Sequence, residues 1–158
     1  MKDPGIKTVH MVRTTVAPVI DGKLDDVAWQ TAALVDNLHQ VSPIEYAEPN
    51  ERSEIYLLYD DEALYVGARL FDNMPEDITA NILRQADNMG NDDRFYITID
   101  PFNTKRSGYF FGLNPNGVRS DGLNRYFMLE AGSKLQVRLR APLDAGKTLY
   151  VVGQAADF

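Results

Sequence analysis

Apolar and polar positions alternate along most of this chain in short runs closed by turn residues, the pattern of an all-β sandwich or barrel. Phe95, Ile97 and Ile99 alternate with Tyr96 and Thr98 until Pro101, which predicts one half-buried strand. Leu135, Val137, Leu139 and Ala141 alternate with Lys134, Gln136, Arg138 and Arg140 and predict another, turned by Asp144-Ala145-Gly146 into a strand over 149–152. Residues 54–59 and 63–71 carry apolar side chains at both parities and are joined by Asp60-Asp61-Glu62, so they predict a hairpin of central strands. Residues 108–113 and 118–127 predict a second hairpin around the turn sequence Asn114-Pro115-Asn116-Gly117.

The ends and connections are less regular. Residues 9–12 and 16–20 are apolar and β-branched and predict strands, with Pro18 favouring an edge. After the Asp21-Gly22 turn, Leu24-Asp25-Asp26-Val27-Ala28-Trp29 predicts a short helix with acids in its first turn and Val27, Ala28 and Trp29 entering the core. Residues 36–53, broken by Pro43 and Pro49, predict a loop with one strand, and 73–77 a helical turn with Pro early. Residues 87–93 predict a polar loop. The fold expectation is an antiparallel two-sheet β-sandwich, all-β with one or two short helical turns, as a single domain over 1–158.

Composition narrows the function. At 158 residues the chain can bury a real core without staples. Its 23 acids against 16 Lys and Arg give a net charge of −7, which repels phosphate backbones and argues against nucleic acid. The absence of Cys excludes disulfides, thiolate catalysis and Cys-based metal sites. His10 and His39 are not spaced as metal ligands. No stretch approaches the ~20 apolar residues of a membrane span. Met1-Lys2-Asp3-Pro4-Gly5 lacks a signal peptide's apolar run, so an exported protein is expected to carry its signal outside this chain. No nucleophile elbow, P-loop, dinucleotide glycine motif or metalloprotease helix is present, so catalysis is not expected.

Four blocks, in order, carry a family resemblance. Ile20-Asp21-Gly22-Lys23-Leu24-Asp25-Asp26-Val27-Ala28-Trp29 resembles the opening of family 9 carbohydrate-binding-module-like domains, and Leu58-Tyr59-Asp60-Asp61-Glu62-Ala63-Leu64-Tyr65-Val66-Gly67 is similar to their next hairpin. Asn91-Asp92-Asp93-Arg94-Phe95 with Ile99-Asp100-Pro101-Phe102 resembles a third block. Gly108-Tyr109-Phe110-Phe111, Asn114-Pro115-Asn116-Gly117 and Asp121-Gly122 resemble a fourth. The resemblance is strongest over 20–122 and leaves 123–158 as a divergent or truncated tail. It implies a DOMON-like sandwich that binds poly- or oligosaccharide of xylan or cellulose type, without catalysis. It also implies an accessory role in a larger secreted or envelope protein, an extracellular or periplasmic location, and a downstream domain of the same parent as partner. The alternative is a structural or interaction domain of a bacterial envelope protein with no sugar ligand.

Candidate residues follow. Sugar-binding members clamp the ring between two tryptophans, whereas this chain has one Trp, and Trp29 in its motif is expected in the core. Tyr96, Tyr109 and Tyr126, with Phe127, are then the candidate stacking residues, and Arg84, Asn114 and Arg119 the candidate hydroxyl partners; the alternative for each is cross-strand packing. Asp60, Asp61, Asp92 and Asp93, with Glu62 and Asp100, are candidate calcium ligands, a possibility the resemblance raises, against the alternative of turn and capping residues.

Overall fold

Ser53–Tyr59 and Ala63–Leu70 form the hairpin around which the other elements are arranged. Their turn closes because Asp60 accepts the backbone N–H of Glu62 and of Ala63, at 2.8 and 2.7 Å, an Asx arrangement that an aspartate makes with its own chain. The computed structural model describes residues 9–40, 43–85, 89, 91–102, 106–124 and 148–155.

In chain order the elements are β1 (Val12–Arg13), α1 (Val27–Gln30), β2 (Ala33–Val35), β3 (Ser53–Tyr59), β4 (Ala63–Leu70), β5 (Phe95–Ile99), β6 (Gly108–Leu113), β7 (Arg119–Asn124) and β8 (Thr148–Ala155), with one 3₁₀ turn at Pro75–Asp77. They build two sheets. In the first, β3 is flanked by β4 on one edge and by the short β1 and β2 on the other, and β4 is flanked in turn by β8. The second runs β5-β6-β7. The molecule is an all-β, two-sheet sandwich.

Side chains on a strand alternate between faces, so each sheet has an inner and an outer set. Ile55, Leu57, Leu64, Val66 and Ala68 of the first sheet meet Ile97 and Ile99 of the second in the principal core, with Val35 beside them. The opposite face of the first sheet is also covered. Ala28 and Trp29 of α1 lie there with Leu58, Ala63 and Tyr65. That second layer is why β3 and β4 are apolar at both parities.

Several expectations are corrected. The strand over 16–20 does not form. Val16 gives its N–H to Thr14 Oγ1 and Val19 gives its N–H to Asp26 Oδ2, so donors a ladder would use go to side chains, and Val16, Val19 and Ile20 stay exposed. The strand over 9–12 shrinks to Val12–Arg13. Val27 is 75% exposed, because a four-residue helix turns only one side to the sheet, and Ala28 and Trp29 occupy it. The expected strand within 36–53 is absent among the described residues there up to Ser53; a three-residue strand instead forms earlier, at Ala33–Val35. The pairing is not wholly antiparallel: β1 with β3 and β4 with β8 are parallel. A parallel partner needs a long crossover, and residues 71–147, which contain the second sheet, provide it for β8. The strand expected over 149–152 is β8. The strand expected over 135–141 and the far end of the one expected over 118–127 lie outside the described residues.

Candidate functional site

The second sheet presents an outer face built from three strands in register. Tyr96 stands opposite Gly112 and Thr98 opposite Phe110. Phe110 in turn stands opposite Gly122, and Gly112 opposite Ser120. Tyr96, Thr98, Phe110 and Ser120 therefore share one face with two glycines. Each aromatic ring lies over the glycine of the next strand. A Cβ built on Gly112 would fall 2.2 Å from Tyr96 Cε1, and one on Gly122 would fall 2.6 Å from Phe110 Cε1. The two rings meet edge to face, with centroids 6.0 Å apart and planes at 68°. The Arg94 guanidinium sits over the Tyr96 ring at 5.5 Å from its centroid. Tyr96 remains 39% exposed. A corner of one exposed and one half-buried aromatic ring, with a guanidinium against it, suits a ligand having an apolar C–H face and a polar rim.

The other candidate aromatics fall elsewhere. Tyr109 stands opposite Ile99 and Leu123, so it belongs to the inner face, beyond the part that the core covers, and both it and Leu123 are about half exposed. Arg119 follows the same parity as Leu123 on β7 and shares that face with Asp121. Tyr96 and Tyr109 thus lie on opposite sides of one sheet and cannot grip one ligand ring together. Tyr126 and Phe127 lie outside the described residues.

Asn114, Asp92 and Asp93 have a different occupation. Asp92 accepts the N–H of Asn81 and of Ile82, each at 2.9 Å, and the Asn114 carboxamide at 2.9 Å. Asn114 also donates to the Ile82 carbonyl at 2.8 Å and accepts the Val118 N–H at 2.8 Å. Asp93 accepts the Thr79 N–H at 2.8 Å, and Asn116 donates to the Ala80 carbonyl at 2.8 Å. Together they stitch residues 79–82 between the start of β5 and the β6–β7 turn. Burial alone would raise the Asp92 carboxyl, but the N–H groups of Ile82 and Asn81 and the Asn114 carboxamide outweigh it and hold the group below the ordinary aspartate value. Arg84 follows this stitched segment and is exposed.

The candidate calcium ligands do not gather. Asp60 spends one oxygen on the Glu62 and Ala63 N–H groups and the other on the Tyr65 hydroxyl. Asp61 pairs with Arg13. Asp92 and Asp93 belong to the other sheet's stitched segment. Among the described residues no three His, Cys, Asp or Glu side chains form a metal-holding group, whereas calcium takes six to eight oxygens. This donor set does not fit the ion.

Trp29 is 3% exposed and lies against Gly67, as its motif leads one to expect. Reading the sequence missed Phe110, Arg94 and the two glycine seats. A signal for the last was present, since an isolated glycine within a strand pattern marks a close approach. The pairing of Tyr96 with Phe110 depends on register, which the long β5–β6 connection does not encode locally.

Among the described residues, no helix is long and apolar enough to cross a membrane. A family model described as carbohydrate family 9 binding domain-like matches residues 20–141, which includes all four sequence blocks and runs past the last of them. No curated protein and no solved structure matches.

Proposed function

The chain belongs to the family 9 carbohydrate-binding-domain-like family, and from that premise we propose that it is a non-catalytic module that holds a poly- or oligosaccharide of xylan or cellulose type on the outer face of the second sheet. Families of this kind bind rather than catalyse. The observation that carries the choice of face is the exposed Tyr96 ring beside Phe110, with the Arg94 guanidinium over it. A pyranose offers axial C–H groups to such a ring and its hydroxyls to the guanidinium and to nearby polar side chains. The module serves a larger secreted or envelope protein, outside the cytoplasm.

A second reading, an interaction domain without a sugar ligand, is favoured by one observation: the sole Trp is buried, so no tryptophan is left to stack on a sugar. Isothermal titration with xylo- and cello-oligosaccharides separates the two. Binding that weakens at least tenfold in Tyr96→Ala supports the first. A folded protein that binds neither series at millimolar concentration leaves the second.

A further inference from the structure

Gly112 and Gly122 sit inside β6 and β7, where a glycine weakens a strand because it has no side chain to pack and more chain entropy to lose. Their backbone does not demand glycine: among the described residues positive φ occurs at Gly22, Gly117 and Tyr46. What demands it is space. Three Tyr96 ring atoms lie within 3.0 Å of the position a Gly112 Cβ would take, and two Phe110 ring atoms within 2.9 Å of that of Gly122. Both rings lean the same way, from one strand onto the next, and both replace a missing side chain.

We propose that Gly112 and Gly122 are positioning residues of the saccharide face, seats that fix Tyr96 and Phe110 as a rigid corner, and that this corner selects a single solvated glycan chain over the flat surface of a crystalline polysaccharide. The proposal rests on the sugar-binding reading above. A crystalline face presents sugar rings in one plane, and a protein holds it by laying several aromatic rings in a matching plane. Rings at 68° to each other cannot both lie on such a plane. They can receive one sugar ring, the face of one aromatic against its C–H groups and the other aromatic along its side. Sugar rings along a single chain are free to turn relative to one another and follow the corner.

The test compares wild type, Gly112→Ala and Tyr96→Leu in three measurements: titration with soluble xylo- and cello-hexaose, co-sedimentation with microcrystalline cellulose, and the NMR shift of the Gly112 α-protons. Wild type is expected to bind the soluble chains and to stay in the supernatant over the crystalline solid. Gly112→Ala is expected to lose at least tenfold in affinity while its melting temperature stays within about 4 °C. The Gly112 α-protons, lying beneath the Tyr96 ring, are expected upfield in wild type and at ordinary values in Tyr96→Leu. Sedimentation with the solid as tight as binding to the hexaoses overturns the selectivity and leaves the sugar reading intact. Wild-type affinity in Gly112→Ala, or α-proton shifts unmoved by Tyr96→Leu, overturns the seats. Absence of binding to every carbohydrate removes the sugar reading and the selectivity with it, and the α-proton shifts still judge the seats.

Discussion

The Trp29 indole stands against Gly67, where an added Cβ would meet Trp29 Cζ3 at 3.2 Å and Leu24 Cδ2 at 2.7 Å. Leu24 lies within the first sequence block, Trp29 closes it and Gly67 ends the second, so these two blocks pack one upon the other. The device is the one that seats Tyr96 on Gly112, with opposite exposure. Here the ring is enclosed by Leu58, Ala63 and Tyr65, and nothing can yield cheaply. Gly67→Ala is therefore expected to destabilise by about 1–3 kcal/mol through overpacking, and Gly112→Ala, where an exposed ring swings aside, by less than about 1 kcal/mol. Chemical denaturation of the two variants checks the order; equal losses would contradict it.

Trp29→Ala removes a large ring from a closed layer and is expected to cost about 3–5 kcal/mol. Trp29→Phe keeps part of that volume and is expected to cost less. Denaturant midpoints report both. A Trp29→Ala variant as stable as wild type would show that the helical turn does not roof the first sheet.

Asn114 is buried with its side-chain polar atoms engaged, so Asn114→Ala strands the Val118 N–H and takes one donor each from Asp92 Oδ2, which keeps the Ile82 N–H, and from the Ile82 carbonyl, which keeps the Asn116 carboxamide. The expected loss is about 2–3 kcal/mol. Hydrogen exchange should rise first at the amides of Asn81, Ile82 and Val118. A uniform rise across both sheets, with no lead at these three, would contradict the stitching role.

Two carboxyls make stability depend on acid. Burial would raise Asp92, but hydrogen bonds from Ile82, Asn81 and Asn114 hold it low; burial would likewise raise Asp60, but the Tyr65 hydroxyl and the N–H groups of Glu62 and Ala63 hold it low. A carboxyl depressed by folding stabilises the native state fully above its unfolded value, about pH 4, and loses that contribution as pH falls through the lower folded value. Melting temperature is thus expected to fall below about pH 4, and to fall less steeply in Asp92→Asn, which starts lower. A steeper fall in the variant would contradict the assignment.

Because Asp60, Asp61, Asp92 and Asp93 already hold backbone, hydroxyl or guanidinium partners, EDTA and millimolar CaCl₂ are both expected to leave the melting temperature unchanged. A rise with CaCl₂ would reveal a bound ion stabilising the native state by mass action.

The parts of this architecture that the sequence made legible are those governed by local pattern. Alternation over Phe95–Ile99 gave a strand with the expected bounds, and double-sided apolarity marked β3 and β4 as central. Trp29 was placed in the core by its motif. What escaped was governed by side chains that capture backbone N–H groups nearby and by partners distant in the chain. The N–H groups of Val16 and Val19 left the ladder for Thr14 and Asp26, so β-branched residues alone did not make a strand. Asn114 and Asp92 offered the chemistry of ligand contacts, yet their atoms are claimed by residues 81, 82 and 118. Tyr96 and Tyr109 are both tyrosines on neighbouring strands, and only the register of β5 against β6 puts them on opposite faces.

The most direct test of the account is calorimetric titration of wild type and Tyr96→Ala with xylohexaose and cellohexaose, each sample first shown to be folded by its melting curve. The account predicts saturable heat in wild type and at least a tenfold weaker response in the variant. Equal binding by both proteins, or no heat from wild type with either sugar, would contradict it.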